Sequence, residues 1–342
     1  MEPASNLSDQ KLSFCIATYN RARFLNDTLR SLIAQATEEC EIVVSDNAST
    51  DETEQVVSYY QSHFRRLRYF KQNINVGPDQ NFDNAVALAR GEFCWLMGDD
   101  DTLKPGSVST ILGALRPELS LILVNMEVRD ISMSSVQIRR WLNINSDRMY
   151  APGETDRLFT DLNGRVGSVS NIIIRRSIWI NRERERYYGS MFIHTGVLFQ
   201  EPLPGRTLVV AAPLINYRSG NVGRWFCDAP EIFLGKWPDV ISSLAISDSA
   251  KRKVKVTKPW SHFYSLLILR SAGYSLVEYR RWVRPRLISG YEAILPISIA
   301  LVPRMLIKAL VVLSGYIDNN VERLLYLHEQ RHLNRRRSVR RN

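Results

Sequence analysis

Along the first third of the chain, short continuous apolar runs trade places with stretches of helical period. Leu12-Ser13-Phe14-Cys15-Ile16-Ala17 reads as a buried strand and stops at Thr18-Tyr19-Asn20. Arg21 to Ala34 follows, with Phe24, Leu25, Leu29, Leu32 and Ile33 at helical spacing. Glu41-Ile42-Val43-Val44-Ser45 is a second strand and ends in Asp46-Asn47-Ala48-Ser49-Thr50-Asp51. Glu52 to Phe64 is again helical, and Leu67-Arg68-Tyr69-Phe70 is a third, short strand leading into Asn73-Ile74-Asn75-Val76-Gly77-Pro78. Asp79 to Arg90 is a third helix, with Asp79 as its expected cap just after the proline. Phe93-Cys94-Trp95-Leu96-Met97 is a fourth strand. It stops at Gly98, and Asp99, Asp100 and Asp101 follow before Lys104-Pro105-Gly106 turns the chain toward another helix.

Strands alternating with helices of about a dozen residues predict an α/β fold with a mostly parallel, doubly wound sheet. Ligands of such sheets lie beyond the carboxyl ends of the strands. Each strand here meets that region with polar residues: Thr18-Tyr19-Asn20, Asp46-Asn47, Asn75 and the three acids. Any one of these is ordinary turn and cap chemistry. Their convergence on one edge is a site. Three adjacent anions repel by on the order of 1 kcal/mol per pair even in water, so a cation is expected beside them. Hard oxygen ligands without a Cys or His cluster suit Mg²⁺ or Mn²⁺. A solvated acidic turn capping the next helix is the plain alternative.

Further on, Leu121 to Asn125 with Val128 suggests a strand, and Ser132 to Leu162 is polar and irregular. Val166 to Ile174 returns to the sheet, and Arg175 begins a helix. Ala211 to Tyr217 reads as a last strand. The loop after it holds Arg218 and Arg224 among glycines, which suits a lid over a diphosphate or a plain surface loop. From about Pro230 strand signals cease. Lys251 to Lys258 is basic, His262 to Ser271 apolar and helical, and Tyr279 to Arg286 basic with aromatics. Ile294 to Ile317 is strongly apolar, with Arg304 and Lys308 on one helical face, and the tail from Arg331 to Arg341 holds six arginines and no acid. Such a unit can lie on an anionic membrane surface or pack on the core and end in a disordered tail.

Composition narrows this picture. The 342 residues allow one large domain with an appendage or two domains, and 45% apolar content supplies a substantial core. Cys15, Cys40, Cys94 and Cys227 lie far apart without metal-ligand spacing, which suits a reducing compartment and no disulfide framework. Met1 to Gln10 carries no apolar signal core, and no run reaches the roughly 20 apolar residues of a membrane span. A net charge of +10 calls for an anionic partner. A recognised nucleic-acid motif does not accompany it, so nucleic acid is not the expected one.

Taken together, Ile16 to Arg21, Ile42 to Asp51, Asn75-Val76-Gly77, Ala89-Arg90-Gly91-Glu92 and Gly98-Asp99-Asp100-Asp101 with Pro105-Gly106 resemble the family 2 glycosyltransferases, which have the GT-A fold. The likeness runs in order over about the first 115 residues. It implies a nucleotide-sugar donor, a divalent cation (Mn²⁺ or Mg²⁺) and transfer to an acceptor hydroxyl with inversion. It also implies that Thr18 and Asn20, with Tyr19, Arg21, Asn47 and Gly77, line the nucleotide pocket. Asp46 would bond the base, and Asn75 and Asn81 would flank the nucleotide. A carboxylate can read a pyrimidine N–H, and a cation can neutralise the departing diphosphate. The usual family pattern, Asp-x-Asp-Asp before Pro-Gly, puts Gly98 at the first Asp. The expected roles are therefore Asp99 toward the ribose, Asp100 on the metal, and Asp101 as second ligand or orienting neighbour. The Gly-Asp-Asp-Asp form also resembles an abequosyltransferase-like branch of O-antigen sugar transferases.

The family's base is usually a carboxylate in a Glu-Asp pair, which this sequence lacks. The matching stretch, Tyr188 to Gly196, puts His194 in that place. A histidine accepts a hydroxyl proton near neutral pH. A histidine bonded within the fold is the plain alternative; Glu201 is the fallback base and Asp161 a weaker one. Arg218 and Arg224 join the nucleotide-sugar residues. The expected organisation is a catalytic domain over 1–228, with a donor half at about 10–115 and an acceptor half at about 116–228, then a basic helical region over 229–342. The expected enzyme moves a sugar to a glycan or polyprenyl-phosphate-linked acceptor in surface-polysaccharide assembly. It would be cytoplasmic, with the inner face of a bacterial plasma membrane as a peripheral station. A nucleotide-sugar-binding or scaffold protein that has lost catalysis is the competing expectation.

Overall fold

The computed structural model describes residues 10–166, 168–220, 228–253, 258–307 and 310. The amino-terminal half is built as the apolar runs require. Strands β1 (Leu12–Thr18), β2 (Cys40–Asp46), β3 (Leu67–Lys71) and β4 (Phe93–Gly98) lie side by side in the order β3-β2-β1-β4, all parallel. Helices α1 (Ala22–Ile33), α2 (Thr53–Gln61) and α3 (Pro78–Leu88) connect them. Side chains alternate across the strands. Phe14 and Ile16 of β1 and Phe93, Trp95 and Met97 of β4 enter one apolar cluster, while Cys15, Cys94 and Leu96 enter the other. Both faces are covered, which is why these strands are apolar runs rather than alternating ones.

One cluster lies under α1, α2 and α4 (Ser107–Ala114), which contribute Leu25, Leu29 and Leu32, Val57 and Tyr60, and Val108 and Ile111. The opposite face takes Ala85 and Val86 of α3, Leu158 and Phe159 of α5 (Thr155–Asp161), Ile178 and Trp179 of α6 (Arg176–Ile180), and Val197 to Phe199 of α7 (Ile193–Phe199).

The second half of the sheet departs from the parallel plan. The short β5 (Thr102–Leu103) precedes α4, and β6 (Leu119–Arg129), β7 (Val136–Ile138) and β8 (Arg148–Tyr150) follow it. Strand β9 (Ile172–Arg175) wedges between β4 and β6 antiparallel to both, and β10 (Arg206–Arg218) runs parallel to β6. Two antiparallel steps restore direction, so β6 and β10 end at the same edge as β1, β2 and β4. The strand expected from Val166 shortens to Ile172–Arg175, because a 3₁₀ turn at Val169–Asn171 comes first. The polar stretch from Ser132 to Leu162 carries β7, β8 and α5.

Beyond residue 228 the described chain is helical. Ile232, Trp237, Val240, Ile241 and Leu244 join the cluster under α3 and α7, so this part packs on the sheet layer. A third cluster gathers Leu234, Trp260, Leu266, Leu269, Tyr274, Val283 and Ile299. The apolar run from Ile294 becomes a helix over Ile294–Leu301 and breaks at Val302-Pro303. The arginine-rich tail lies outside the described residues. Cys15, Cys40 and Cys94 are free, buried thiols that act as small apolar side chains.

Candidate active site

The parallel register puts Thr18 opposite Asp46, and Ala17 opposite Gly98, so the polar strand ends share one edge. The turns after β1 and β2 are tied to each other there. Asn20 and Ala48 both hold left-handed backbone, φ 54 and 64°, a conformation costing non-glycine residues about 1 kcal/mol or more. Asn20 N–H donates to Ser49 Oγ at 2.8 Å, and Thr50 N–H donates back to Asn20 Oδ1 at 2.7 Å. Asp51 reaches from the second turn to take the Ala22 N–H at 3.0 Å, capping α1 from outside its own segment.

The three acids take separate environments. Asp99 accepts Thr18 Oγ1–H at 2.8 Å through one oxygen and faces Arg21 Nε at 2.9 Å through the other. Arg21 also pairs with Asp100. Asp101 turns inward and is 2% exposed; Ser170 Oγ–H and the Arg218 N–H, the latter at 2.9 Å, donate to its two oxygens. Burial pushes the carboxyls of Asp99 and Asp101 above their usual range, and Arg21 opposes this at Asp99 while Asp100 adds to it at Asp101. Gly98 explains the displaced acids. A Cβ there would stand 3.0 Å from Asp101 Oδ2 and 3.2 Å from both Asp100 Oδ1 and Ser170 Oγ. The space a side chain at 98 would need is filled by the carboxylates that follow it.

Nearby, Asn47 Nδ2–H donates to Asn75 Oδ1 at 2.9 Å, and the N–H groups of Val76 and Gly77 donate to Asn47 and Asn75, which holds the loop against the β2 end. Asn81 clamps the strand ends, donating to Ser45 O at 2.9 Å and accepting Ser45 Oγ–H at 2.7 Å. Asp46 is wholly buried; its oxygens accept Ser49 N–H at 2.9 Å and Tyr69 O–H at 2.5 Å. Of the expected lining residues, Tyr19, Asn20 and Asn75 face solvent and Arg21 is half-buried, whereas Thr18, Asp46, Asn47 and Asn81 form the floor. Gly77, at φ 87°, is the cap of α3.

Three expectations change. Asp79 does not cap α3; its buried carboxylate accepts the N–H groups of Met191 at 2.8 Å and Ile193 at 3.1 Å and so holds the start of α7. Burial raises its carboxyl above the usual range against those two donors. Arg218 is no lid. It is 6% exposed, and its guanidinium donates to Asp100 O at 2.8 Å, Ile131 O at 2.7 Å and Asp27 Oδ2 at 3.0 Å. Arg224 lies outside the described residues. Asp101 has both oxygens hydrogen-bonded within the fold, the orienting one of its two expected roles, and Asp100 is the outward acid, its side chain 18% exposed. Glu201 is at the wrong edge: its carbonyl and that of Pro202 accept from Arg182, and the chain then reaches Gly205, beside Ser120 at the start of β6. His194 is in the first turn of α7, at the end Asp79 holds, and is 3% exposed. Asp161 pairs with Arg148 and accepts Tyr150 O–H at 2.9 Å.

Two groups carried no signal in the sequence. Asp83 collects Trp179 Nε1–H at 2.8 Å, Tyr188 O–H at 2.6 Å and Arg184, tying α3 to the segment before α7. Glu127, 9% exposed near the end of β6, is held by Lys104 at 3.1 Å and Arg129 at 2.7 Å. The partners of Asp83 come from about a hundred positions along the chain, whereas Glu127 is held by Lys104 and by its strand neighbour Arg129.

The profile of the family described as glycosyl transferase family 2 matches residues 13–181, from the start of β1 to the end of α6. The chain belongs to glycosyl transferase family 2. Among curated relatives, abequosyltransferase RfbV of Salmonella typhimurium is 28% identical over 223 residues, 61% of this chain and 67% of that protein. The GalNAc(5)-diNAcBac-PP-undecaprenol beta-1,3-glucosyltransferase of Campylobacter jejuni is 39% identical over 103 residues, 30% of this chain and 33% of that protein. Apart from the first of these, the leading relatives are matched over about a third of their length or less. In fold, the chain is similar to S. aureus TarS 1-349 solved with UDP, at TM-score 0.58 and 18% identity, covering 95% of this chain and 92% of that one. It is also similar to the mannosyltransferase PcManGT of Pyrobaculum calidifontis solved with GDP-Man and Mn2+, at TM-score 0.51 and 13% identity, covering 94% and 84%. The family member described here is therefore a glycosyltransferase of GT-A fold. The competing expectation of a non-catalytic binder has no support in these likenesses.

Proposed function

We propose that this transferase moves a sugar from a nucleoside-diphosphate donor to a hydroxyl of a lipid-linked glycan, with inversion, in the assembly of a surface polysaccharide. The observation that carries the reading is the strand-end cluster in which Thr18 and Arg21 hold Asp99 while Arg21 also holds Asp100. The name of one curated relative, a glucosyltransferase acting on an undecaprenol-linked glycan, supports the acceptor class.

In this reading the donor's nucleoside lies over Thr18, Asn20, Asn47 and Asn75, with Tyr19 at the exposed rim. Asp46 stands under it behind the Tyr69 hydroxyl, and Asp99 orients toward the ribose. Among the described residues no three acidic, His or Cys side chains group closely enough to hold a metal ion by themselves. That donor set suits Mg²⁺ or Mn²⁺ held by one or two carboxylates and completed by substrate phosphates, so Asp100 is the ligand we assign. Such an ion, when bound, offsets the negative charge that grows on the leaving diphosphate. Arg21, at the same mouth, adds a second positive charge. The acceptor hydroxyl attacks the anomeric carbon from the face opposite the diphosphate. Its oxygen forms the new C–O bond, the old C–O bond breaks with its electron pair going to the diphosphate oxygen, and the hydroxyl proton passes to His194.

The test is thermal unfolding of the full chain with a panel of nucleoside diphosphates, each with and without manganese. A ligand at about 100 times its Kd adds about 2.7 kcal/mol to stability. The reading expects a rise that needs nucleotide and metal together and that Asp100→Ala removes. Equal stabilisation with and without the metal, or none from any nucleotide, overturns it.

A further inference from the structure

Among the described residues, the carboxy-terminal helices leave a group of large apolar side chains exposed. In the helix Ile294–Leu301 the inward positions Pro296, Ile299 and Ala300 are buried, the last two in the third apolar cluster. The opposite side carries two large apolar residues on either side of the exposed Ser298. Ile294 is 66% exposed and Leu301 63%, and the two stand two helical turns apart on the same side. Tyr291, one turn earlier, and Met305, one turn later in the chain, are 75% and 83% exposed, and Ile288 is 84% exposed. A helix with bulky apolar residues on both sides calls for cover on both, and the described residues cover one. Scattered exposed apolar residues are ordinary; a periodic run of them marks a contact surface.

The charge beside this run identifies the cover. From Arg280 to Leu310 the sequence contains six basic residues and a single acid, Glu292. Glu292 is engaged locally, accepting the Ile288 N–H at 3.1 Å. Arg280, Arg281 and Arg284 are exposed just ahead of Ile288, and Arg281 stacks 4.7 Å from the ring of the half-buried Trp282. An apolar row flanked by arginines and aromatic rings is the pattern of a segment lying in a bilayer interface, with acyl chains meeting the first and acidic headgroups the second. No helix among the described residues is long and apolar enough to cross a membrane, so the contact is lateral. A second copy of the chain would bring the same arginines to the contact, and like charges would face each other.

We propose that the exposed apolar residues of this segment, Ile288, Tyr291, Ile294, Leu301 and Met305, with the exposed Arg280 and Arg284 that precede them in the chain, seat this transferase on an anionic bilayer surface. It rests on the lipid-linked-acceptor reading for its purpose only, since the test contains neither donor nor acceptor. The full chain is mixed with phosphatidylcholine vesicles with and without phosphatidylglycerol, and the bound fraction is measured by flotation. The wild type is expected on the anionic vesicles only. Ile294→Ser with Leu301→Ser, and separately Arg280→Gln with Arg284→Gln, should each lower the partition coefficient on the order of tenfold, at unchanged melting temperature and unchanged nucleotide stabilisation. All variants keep the basic tail, so its contribution cancels. Variants that bind like the wild type, or a wild type that ignores anionic vesicles, overturn the proposal. So does a dimer that Ile294→Ser with Leu301→Ser dissociates while vesicle binding stays the same.

Discussion

The two edges of the parallel sheet each bury acid, and they do so differently. At the amino edge Glu41 is wholly buried and accepts Ser13 Oγ–H at 2.6 Å and the Arg90 N–H, with Arg68 at 3.7 Å. Gly91 N–H completes the set by donating to Ser13 Oγ at 2.8 Å, and a Cβ on Gly91 would stand 2.6 Å from that oxygen. There one oxygen of a single acid takes both hydrogen bonds, the other has Arg68 at 3.7 Å, and the backbone turn closes over them. At the carboxyl edge Asp99 and Asp100 share the guanidinium of Arg21, while Asp101 takes hydrogen bonds from Ser170 and the Arg218 N–H, beside two left-handed non-glycine residues. A buried charge that belongs to the fold is paired within the fold. The clustered acids and strained turns at the other edge are what the proposed cation and donor diphosphate would answer.

The sharpest way to break this contrast is to remove one acid from each edge. Asp100→Ala should cut transfer about 10²- to 10³-fold, the scale of losing one charge-stabilising group, with little change in melting temperature. Glu41→Ala should do the reverse: a loss of about 2–4 kcal/mol in stability, from orphaned buried donors, with turnover per folded molecule retained. Denaturant unfolding beside a donor-turnover assay reads both. Equal effects of the two variants on turnover would erase the distinction between the edges.

Next in size is Asp79→Ala. Removing it leaves the N–H groups of Met191 and Ile193 without their acceptor, which should cost about 1–3 kcal/mol. Because those groups start α7, turnover at saturating donor should fall more than nucleotide affinity does, and a nucleotide titration separates the two.

The smallest expected effect is at Asp51. Burial alone would raise this carboxyl, but hydrogen bonds from Thr53 and from the Ala22 N–H outweigh it and hold it below the usual range. A depressed folded value means the ionised form stabilises the fold above the ordinary carboxylate range. That contribution is lost as pH falls through the folded value. Asp51→Ala should therefore cost about 1 kcal/mol at neutral pH and nothing once the wild-type carboxyl is protonated. Unfolding curves at the two pH values check the sign.

Much of the first half could be read directly. Continuous apolar runs such as Phe14-Cys15-Ile16 and Phe93 to Met97 mean strands buried on both faces, and helical spacing between them leaves the parallel arrangement as the one available. The polar ends at Thr18, Asp46 and Asp99 then share an edge by topology alone. The antiparallel β9 was less visible, because its direction depends on which neighbours the chain finds and not on its own residues. The motif Ala89-Arg90-Gly91-Glu92, which helps carry the family resemblance, lies at the other edge, where Arg90 and Gly91 serve Glu41 and Ser13 and Glu92 pairs with Arg175.

The sequence by itself determined the family, the parallel half of the sheet and the edge at which the chemistry sits, because period and strand-end polarity are local properties. Tertiary structure alone decided how the polar side chains are used. Asp101 and Arg218, which read as ligand contacts, spend their hydrogen bonds on each other's neighbourhood, and Glu201 sits at the far edge from His194. A side chain's role depends on which donors and acceptors reach it, and those come from residues as far as 191 positions away, as between Arg218 and Asp27.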